Sequence, residues 1–252
     1  MSKTRAIKRT LPIIAVLILW WIGSKFSTPL FLPEPEKVGE TFLDLVQNGM
    51  LLESLKASLF RITSATLLAA AISIPIGLLV ANYKVIDDVV TPITSFMRFM
   101  PVTAFYPLLI MWIGIGELMK VSFLLFATIF FFLPTVILAV KDVSTDLIDT
   151  ARTMGMSKLK VMTRVLLPAS LPSIAQSFLM MYGIGWTYII IAEMINTNIG
   201  LGYLMNIGSA RGRTDMVFAA LITVLIVSYI FDAIGNSVIR KVFKWKFIRK
   251  SE

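Results

Sequence analysis

The chain has 252 residues, of which 57% are hydrophobic and 15% charged, with 24 Lys and Arg against 15 Asp and Glu. Soluble domains carry about a quarter charged residues, so this composition, at a mean hydropathy of +0.82, excludes an ordinary water-soluble fold. The absence of Cys and His excludes disulfide frameworks, Cys or His zinc sites, iron–sulfur clusters, thiol nucleophiles and His-dependent triads.

The charge-free stretches, in chain order, are Thr10–Ser24, Ile62–Tyr83, Phe99–Gly116, Val121–Val140, Val165–Ala192 and Met216–Phe231, of 15, 22, 18, 20, 28 and 16 residues. A helix crosses a bilayer core with about 20 apolar residues, so the pattern predicts an all-α membrane protein with six transmembrane helices. The first stretch follows a basic start, as a signal peptide would, but no A-x-A-like site follows it, and an uncleaved anchor is expected. Trp20 and Trp21 fall near its outer end, where indoles favour the interface.

Leu32-Pro33-Glu34-Pro35 reads as stiff and extended. A short amphipathic helix is predicted over 36–46, with Val38, Phe42, Leu45 and Val46 on one face and a stop at Asn48-Gly49. The remaining spans are predicted at Ser58–Asn82, Phe99–Ile115, Met119–Val140, Leu171–Asn196 and Met216–Ile239, interrupted by Pro75, Pro101, Pro107 and Pro134. Such breaks are tolerated inside a bundle.

Basic residues set the orientation. Residues 1–10, 82–98, 141–164 and the C-terminus from Arg240 hold 17 of the 24, and six spans put all four segments on one side. Short basic segments stay cytoplasmic, so both termini are expected there. A pI near 9.8 then reflects topology and implies no nucleic-acid partner. Arg98 reads as an interfacial anchor, and Asp232 as an ion-pair partner for a basic residue of a neighbouring helix.

Residues 141–168 read KDVSTDLIDTARTMGMSKLKVMTRVLLP. Thr145 is expected to cap a helix with Asp146 in its first turn, Asp149 one turn on, and Leu147, Ile148, Ala151 and Met154 apolar. Gly155 fits the left-handed residue that ends a helix. Ser157 then caps a second helix carrying Lys158, Lys160 and Arg164, and Pro168 opens the next element. Composition leaves open whether this is a rigid knob or an amphipathic loop lying on headgroups.

Asp149-Thr150-Ala151, Gly155 and Val165-Leu166-Leu167-Pro168, at their spacing, resemble the EAA---G---------I-LP signature of permease subunits of ATP-binding cassette (ABC) importers. Asp replaces Glu, Thr the first Ala, and Val the Ile. Further short similarities, at Leu32–Pro35, Pro75-Ile76-Gly77, Arg98-x-x-Pro101, Trp112 to Glu117 and Ala192-Glu193-Met194-Ile195 to Gly200-Leu201-Gly202, point to the nitrate/sulfonate/taurine/bicarbonate-type subfamily.

The resemblance implies a MetI-like permease fold in one transmembrane domain. That domain comprises an N-terminal helix and linker (1–56), a five-helix core (57–240), a coupling loop (141–168) and a basic tail (241–252). It implies coupling to an ATPase through Asp146, Leu147, Asp149, Thr150, Ala151, Met154, Gly155, Ser157 and Pro168. It further implies ABC ATPase subunits holding ATP and Mg, an extracytoplasmic solute-binding protein and a second permease copy as partners. No cofactor or metal is expected in this chain, and it is not expected to be an enzyme.

Location in a bacterial or archaeal inner membrane follows. Met100, Phe105, Tyr188 and Glu193, on or beside the third and fifth spans, are candidate pathway residues. Glu193, after 28 uncharged residues, reads also as a carboxylate snorkelling to the outer headgroups or capping the following loop. The substrate class implied is a small anion or organic nutrient. A stand-alone secondary transporter or channel is the alternative. An intramembrane enzyme lacks paired carboxylates deep in one span.

Overall fold

A computed structural model describes residues 3–248 except 98 and 196, with side chains placed for 11–246 of these. Arg98, Arg249 and Lys250, and the side chains of Lys3, Arg5, Lys8 and Arg9, therefore lie outside the described set. The described residues form helices α1 (Lys3–Lys25), α2 (Pro35–Gln47), α3 (Met50–Asn82), α4 (Lys84–Met97), α5 (Phe105–Ile113, after a 3-10 turn at Val102–Ala104) and α6 (Glu117–Lys141). These are followed by α7 (Thr145–Thr153), α8 (Lys158–Val161), a π-helical turn (Met162–Leu166), α9 (Leu167–Met194), α10 (Leu201–Ala210), α11 (Thr214–Val242) and α12 (Lys244–Ile248).

Among the described residues, four helical stretches are long and apolar enough to cross a bilayer: α3, α6, Lys158–Met194 and α11. Helices α4 and α5 form a broken pair bent by 85°, and Leu11–Lys25 is apolar but shorter. The expected count of six is thus not reached by uninterrupted helices. Pro101 lies in the α4–α5 break, where it removes a backbone donor. Helices α4 and α10 fall where the sequence suggested loops.

The chain divides into two compact units, and α3 passes from one into the other. In the unit formed by Met1–Ser58 and Glu193–Leu225, the Pro-rich linker is fixed by side chains. Trp20 Nε1 donates to Pro33 O (3.0 Å), and Lys25 pairs with Glu34 (2.7 Å). The buried seam of α2 is Val38, Thr41 and Leu45, whereas Val46 is exposed. The expected face is therefore rotated, because Thr41 turns inward to donate to Asp215 Oδ2 (2.6 Å), which also receives Arg213 (2.8 Å). Trp20 stacks on Phe218 at 5.5 Å.

In the unit formed by Leu59–Ala192 and Ile226–Glu252, α6 supplies the centre. Its Phe132, Val136 and Val140 pack with Ala69 and Leu78 of α3 and with Ile174 and Met181 of α9. Gly77 allows α3 this approach, since a Cβ there would meet Val136 Cγ1 at 2.6 Å. Tyr182 of α9 stacks on Phe231 of α11 with centroids 3.6 Å apart, and its hydroxyl meets Thr63 Oγ1 at 3.1 Å.

Polar contacts mark both ends of this unit. At one end, Lys141 pairs with Asp87 (2.6 Å), Asn82 Nδ2 donates to Lys158 O (3.3 Å), and Lys246 donates to Ser173 Oγ (2.6 Å). The segments 82–98, 141–164 and the start of the basic tail thus meet at a common end, as the charge pattern requires. Elsewhere, buried Arg61 grips Glu117 through Nε and Nη2, both at 2.6 Å, and buried Lys120 adds a third contact at 2.9 Å.

Gly77→Ala is expected to overpack the α3–α6 contact and destabilise the protein by about 1–3 kcal/mol. A lowered thermal midpoint of the detergent-purified protein would register it; an unchanged midpoint would show that the contact relaxes freely.

Candidate functional site

The segment between α6 and α9 folds into a compact helical hairpin. Helix α7 begins at Thr145 itself, with Ser144 in the capping position and making no side-chain cap bond. The expected Thr145 cap is thereby displaced by one residue. Asp146 occupies the first turn and Arg152 the last, so each charge complements the helix dipole.

Thr150 and Thr153 turn their hydroxyls back to Asp146 O (2.6 Å) and Asp149 O (2.8 Å). The helix closes on a doubled turn in which Met156 N–H donates to Ala151 O (3.1 Å) and Gly155 N–H to Arg152 O (2.9 Å). This is the Schellman pattern, which needs a left-handed residue at its corner. Gly155 supplies it at φ +78°. No atom would obstruct a Cβ there, so conformation alone demands the glycine.

Ser157 then stands in extended geometry ahead of α8, again without a side-chain cap bond. Pro168, exposed, is the second residue of α9. It has no N–H, so the Arg164 carbonyl four residues back loses its helical donor, and the chain passes this point through the π-helical turn at Met162–Leu166.

The two faces of α7 differ. Ala151 is 5% exposed and joins Phe132, Val140, Val161 and Leu166, with Ile148 and Met156 packed alongside. The small Ala151 side chain lets α7 lie close to the π-helical turn and α8. The outward face presents Leu147 (52% exposed), Thr150 and Met154 (74%), one helical stripe flanked by exposed Asp146 and Asp149. The hairpin therefore has a rooted apolar side and a free apolar side, with acid along α7 and Lys158, Lys160 and Arg164 beyond the bend.

The candidate pathway residues occupy two settings. Met100, Phe105 and Tyr188 are half-buried. Phe105 stacks on Phe126 (6.1 Å) and meets Phe130 edge-on, while Tyr188 meets Phe123 edge-on. Phe105 and Tyr188 thus belong to an aromatic cluster around α6.

Glu193 is fully buried. Its carboxylate accepts Ser58 Oγ–H (2.9 and 2.8 Å) and the Gly202 N–H (2.9 Å), while the Leu201 N–H donates to Ser58 Oγ (3.0 Å). These are the free donors at the start of α10, a natural seat for an anion. Gly200, at φ +140°, lies against the carboxylate, and a Cβ there would collide with it. Sequence reasoning missed Ser58; the available signal was a lone acid seven residues before a Gly-x-Gly. Among the described residues, no group of three or more Asp or Glu could hold a metal ion.

The family described as "Binding-protein-dependent transport system inner membrane component" matches residues 73–244. The chain is 32% identical over 255 residues to a protein of Methanocaldococcus jannaschii provisionally named as an ABC transporter permease, covering 99% of this chain and 95% of that one. It is 28% identical over 250 residues to the taurine transport system permease protein TauC of Escherichia coli, covering 96% and 91%. Among solved structures, it resembles a chain of the inward-facing MetNI methionine ABC transporter with a TM-score of 0.70 at 20% identity, covering 77% of this chain and 96% of that one. A chain of a bacterial alginate ABC transporter matches with a TM-score of 0.67 at 19% identity, covering 95% and 98%.

Removing the buried acceptor strands the Ser58 hydroxyl and the Gly202 N–H, a loss of about 1–3 kcal/mol for each buried group left unpaired. Glu193→Ala is therefore expected to lower the thermal midpoint and open the segment before α10 to protease, and Ser58→Ala to do so less. Wild-type protease resistance in Glu193→Ala would contradict the clamp.

Proposed function

Because the chain belongs to the binding-protein-dependent transport system inner membrane component family, and is thus an ABC importer permease of the inner membrane, we propose that its α7–α8 hairpin is where a separate ATPase docks and drives transport. ATP and Mg are held by that ATPase, and hydrolysis occurs there. The observation that carries this reading is the outward stripe of Leu147, Thr150 and Met154 on a helix whose opposite face, through Ala151, is anchored in the core. A partner groove that takes up Leu147 and Met154 gains apolar burial, roughly 1.5–3 kcal/mol for each side chain fully covered. Because the hairpin is rooted, a push on that stripe moves α6 and α9 with it.

In this reading the hairpin faces the cytoplasm, as the basic segments around it require. Two copies of the chain enclose the route, and an extracytoplasmic solute-binding protein delivers the solute to the opposite side. Relatives named for taurine and for aliphatic sulfonates, 28% and 27% identical, support a small anionic or organic nutrient as cargo.

Leu147→Glu and Met154→Glu place charges on the free face and leave Ala151 undisturbed. Each is expected to abolish most co-purification of the ATPase and to cut ATP-driven uptake by an order of magnitude or more, the loss of about 1.4 kcal/mol or more of docking energy. The thermal midpoint should stay at its wild-type value. Full ATPase binding by both variants would overturn the assignment.

A further inference from the structure

Four residues of α9 stand on one exposed line: Gln176, Met180, Gly183 and Thr187. Steps of four, three and four residues keep side chains on one helix face. The line runs within Val165–Ala192, 28 residues without a charge. Met180 is 64% exposed, and the space where a Gly183 side chain would sit is open.

The exposed faces of other spans have a different chemistry. On α3 they carry Phe60, Leu67, Leu68 and Ile72, and on α11 Leu221, Leu225, Ile226 and Ile230, polar groups entering the α11 face only toward its second half at Tyr229 and Asp232. Lipid tails cover such faces without penalty, but they offer nothing to an amide or a hydroxyl. Even inside the protein, the buried threonines of the spans bond their own helix: Thr66 to Ile62 O (2.8 Å), Thr128 to Leu124 O (2.7 Å) and Thr223 to Ala219 O (2.8 Å). Neither Gln176 nor Thr187 makes a side-chain hydrogen bond among the described residues.

We infer that the Gln176–Met180–Gly183–Thr187 line is a water-facing wall of the solute route, and that it reads its solute through neutral hydrogen-bonding groups. This rests on the chain's role as translocation subunit. The ligand class is a small solute bearing oxygen acceptors, such as a sulfonate or carboxylate. It meets an amide and a hydroxyl along this helix, and no fixed counter-charge between Arg164 and Glu193. Gln176 and Thr187 are 11 residues apart, about 16 Å along the axis at 1.5 Å per residue. One small solute cannot touch both, so they are successive stations, with the flexible Met180 thioether between them.

The absence of cysteine makes the test direct. Gln176→Cys, Met180→Cys, Gly183→Cys and Thr187→Cys, one at a time, are exposed to a membrane-impermeant charged thiol reagent, applied from both sides of vesicles holding the full chain with its ATPase. Leu67→Cys and Ile226→Cys serve as lipid-face controls. Labelling of the four line positions, with loss of labelling at the controls, is expected. Failure of the line to label with and without nucleotide overturns the wall, as does equal labelling of line and controls.

ATPase co-purification with the unsubstituted chain is scored separately. Its absence overturns the importer reading and leaves the labelling pattern intact, so the two failures are distinguishable. Gln176→Leu and Thr187→Val are then expected to lower uptake while ATPase co-purification is retained; unchanged uptake in both overturns the reading by neutral groups.

Discussion

The structure turns on the burial of a single small side chain. Ala151 seats α7 against α8 and the π-helical turn, at 5% exposure within a cluster that continues through Phe132 of α6 to Met181 of α9. A larger residue there would lift the hairpin from its seat. A residue other than glycine at position 155 would meet the left-handed conformation at a cost of about 1–2 kcal/mol. Together these constraints make the hairpin an outgrowth of the helical core, so displacement of its outer face is displacement of the spans themselves. The pairs Asp87–Lys141 and Asn82–Lys158 tie α4 and α3 to the same end. They are surface contacts of modest worth, and their value is positional.

A second constraint comes from the membrane. In hydrocarbon every polar group needs a partner within the protein, and the buried polar atoms of the spans largely obey. Ser170, Thr66, Thr128 and Thr223 bond their own helices. Glu193 is accommodated as an anion at the start of α10, with Ser58 completing the shell. Arg61, 1% exposed, takes both oxygens of Glu117. The Glu117 side chain is itself 55% exposed, so this two-point contact satisfies a buried guanidinium from the edge of the bundle.

The sequence made the long spans legible because they are uniform. The spans predicted around the charge-free runs, Met119–Val140 and Met216–Ile239, place α6 and α11 to within three residues at each end. Helix α3 begins eight residues before its predicted start at Ser58, because Glu53 and Lys56 sit in its first turns and interrupt hydropathy without interrupting the helix. Helix α4 was hidden by Pro92 and by its charges, and α10 by its brevity and its glycines.

The Gly155 corner was legible because one residue type dominates that conformation. The direction of Ala151 was not. Apolar residues lie on both sides of α7, so periodicity alone could not separate the rooted face from the free one. The partners of Glu193 were equally invisible, since Ser58 is 135 residues away and only the fold brings it near.

The central claim is that the free face of α7 touches a nucleotide-hydrolysing partner. Since the chain has no cysteine, Met154→Cys provides a single reporter for thiol cross-linking in membranes that also contain the ATPase. A cross-linked product between the two chains is expected from position 154, and none from Ala151→Cys, whose side chain is buried in the core. A product from position 151 and none from 154 would contradict it.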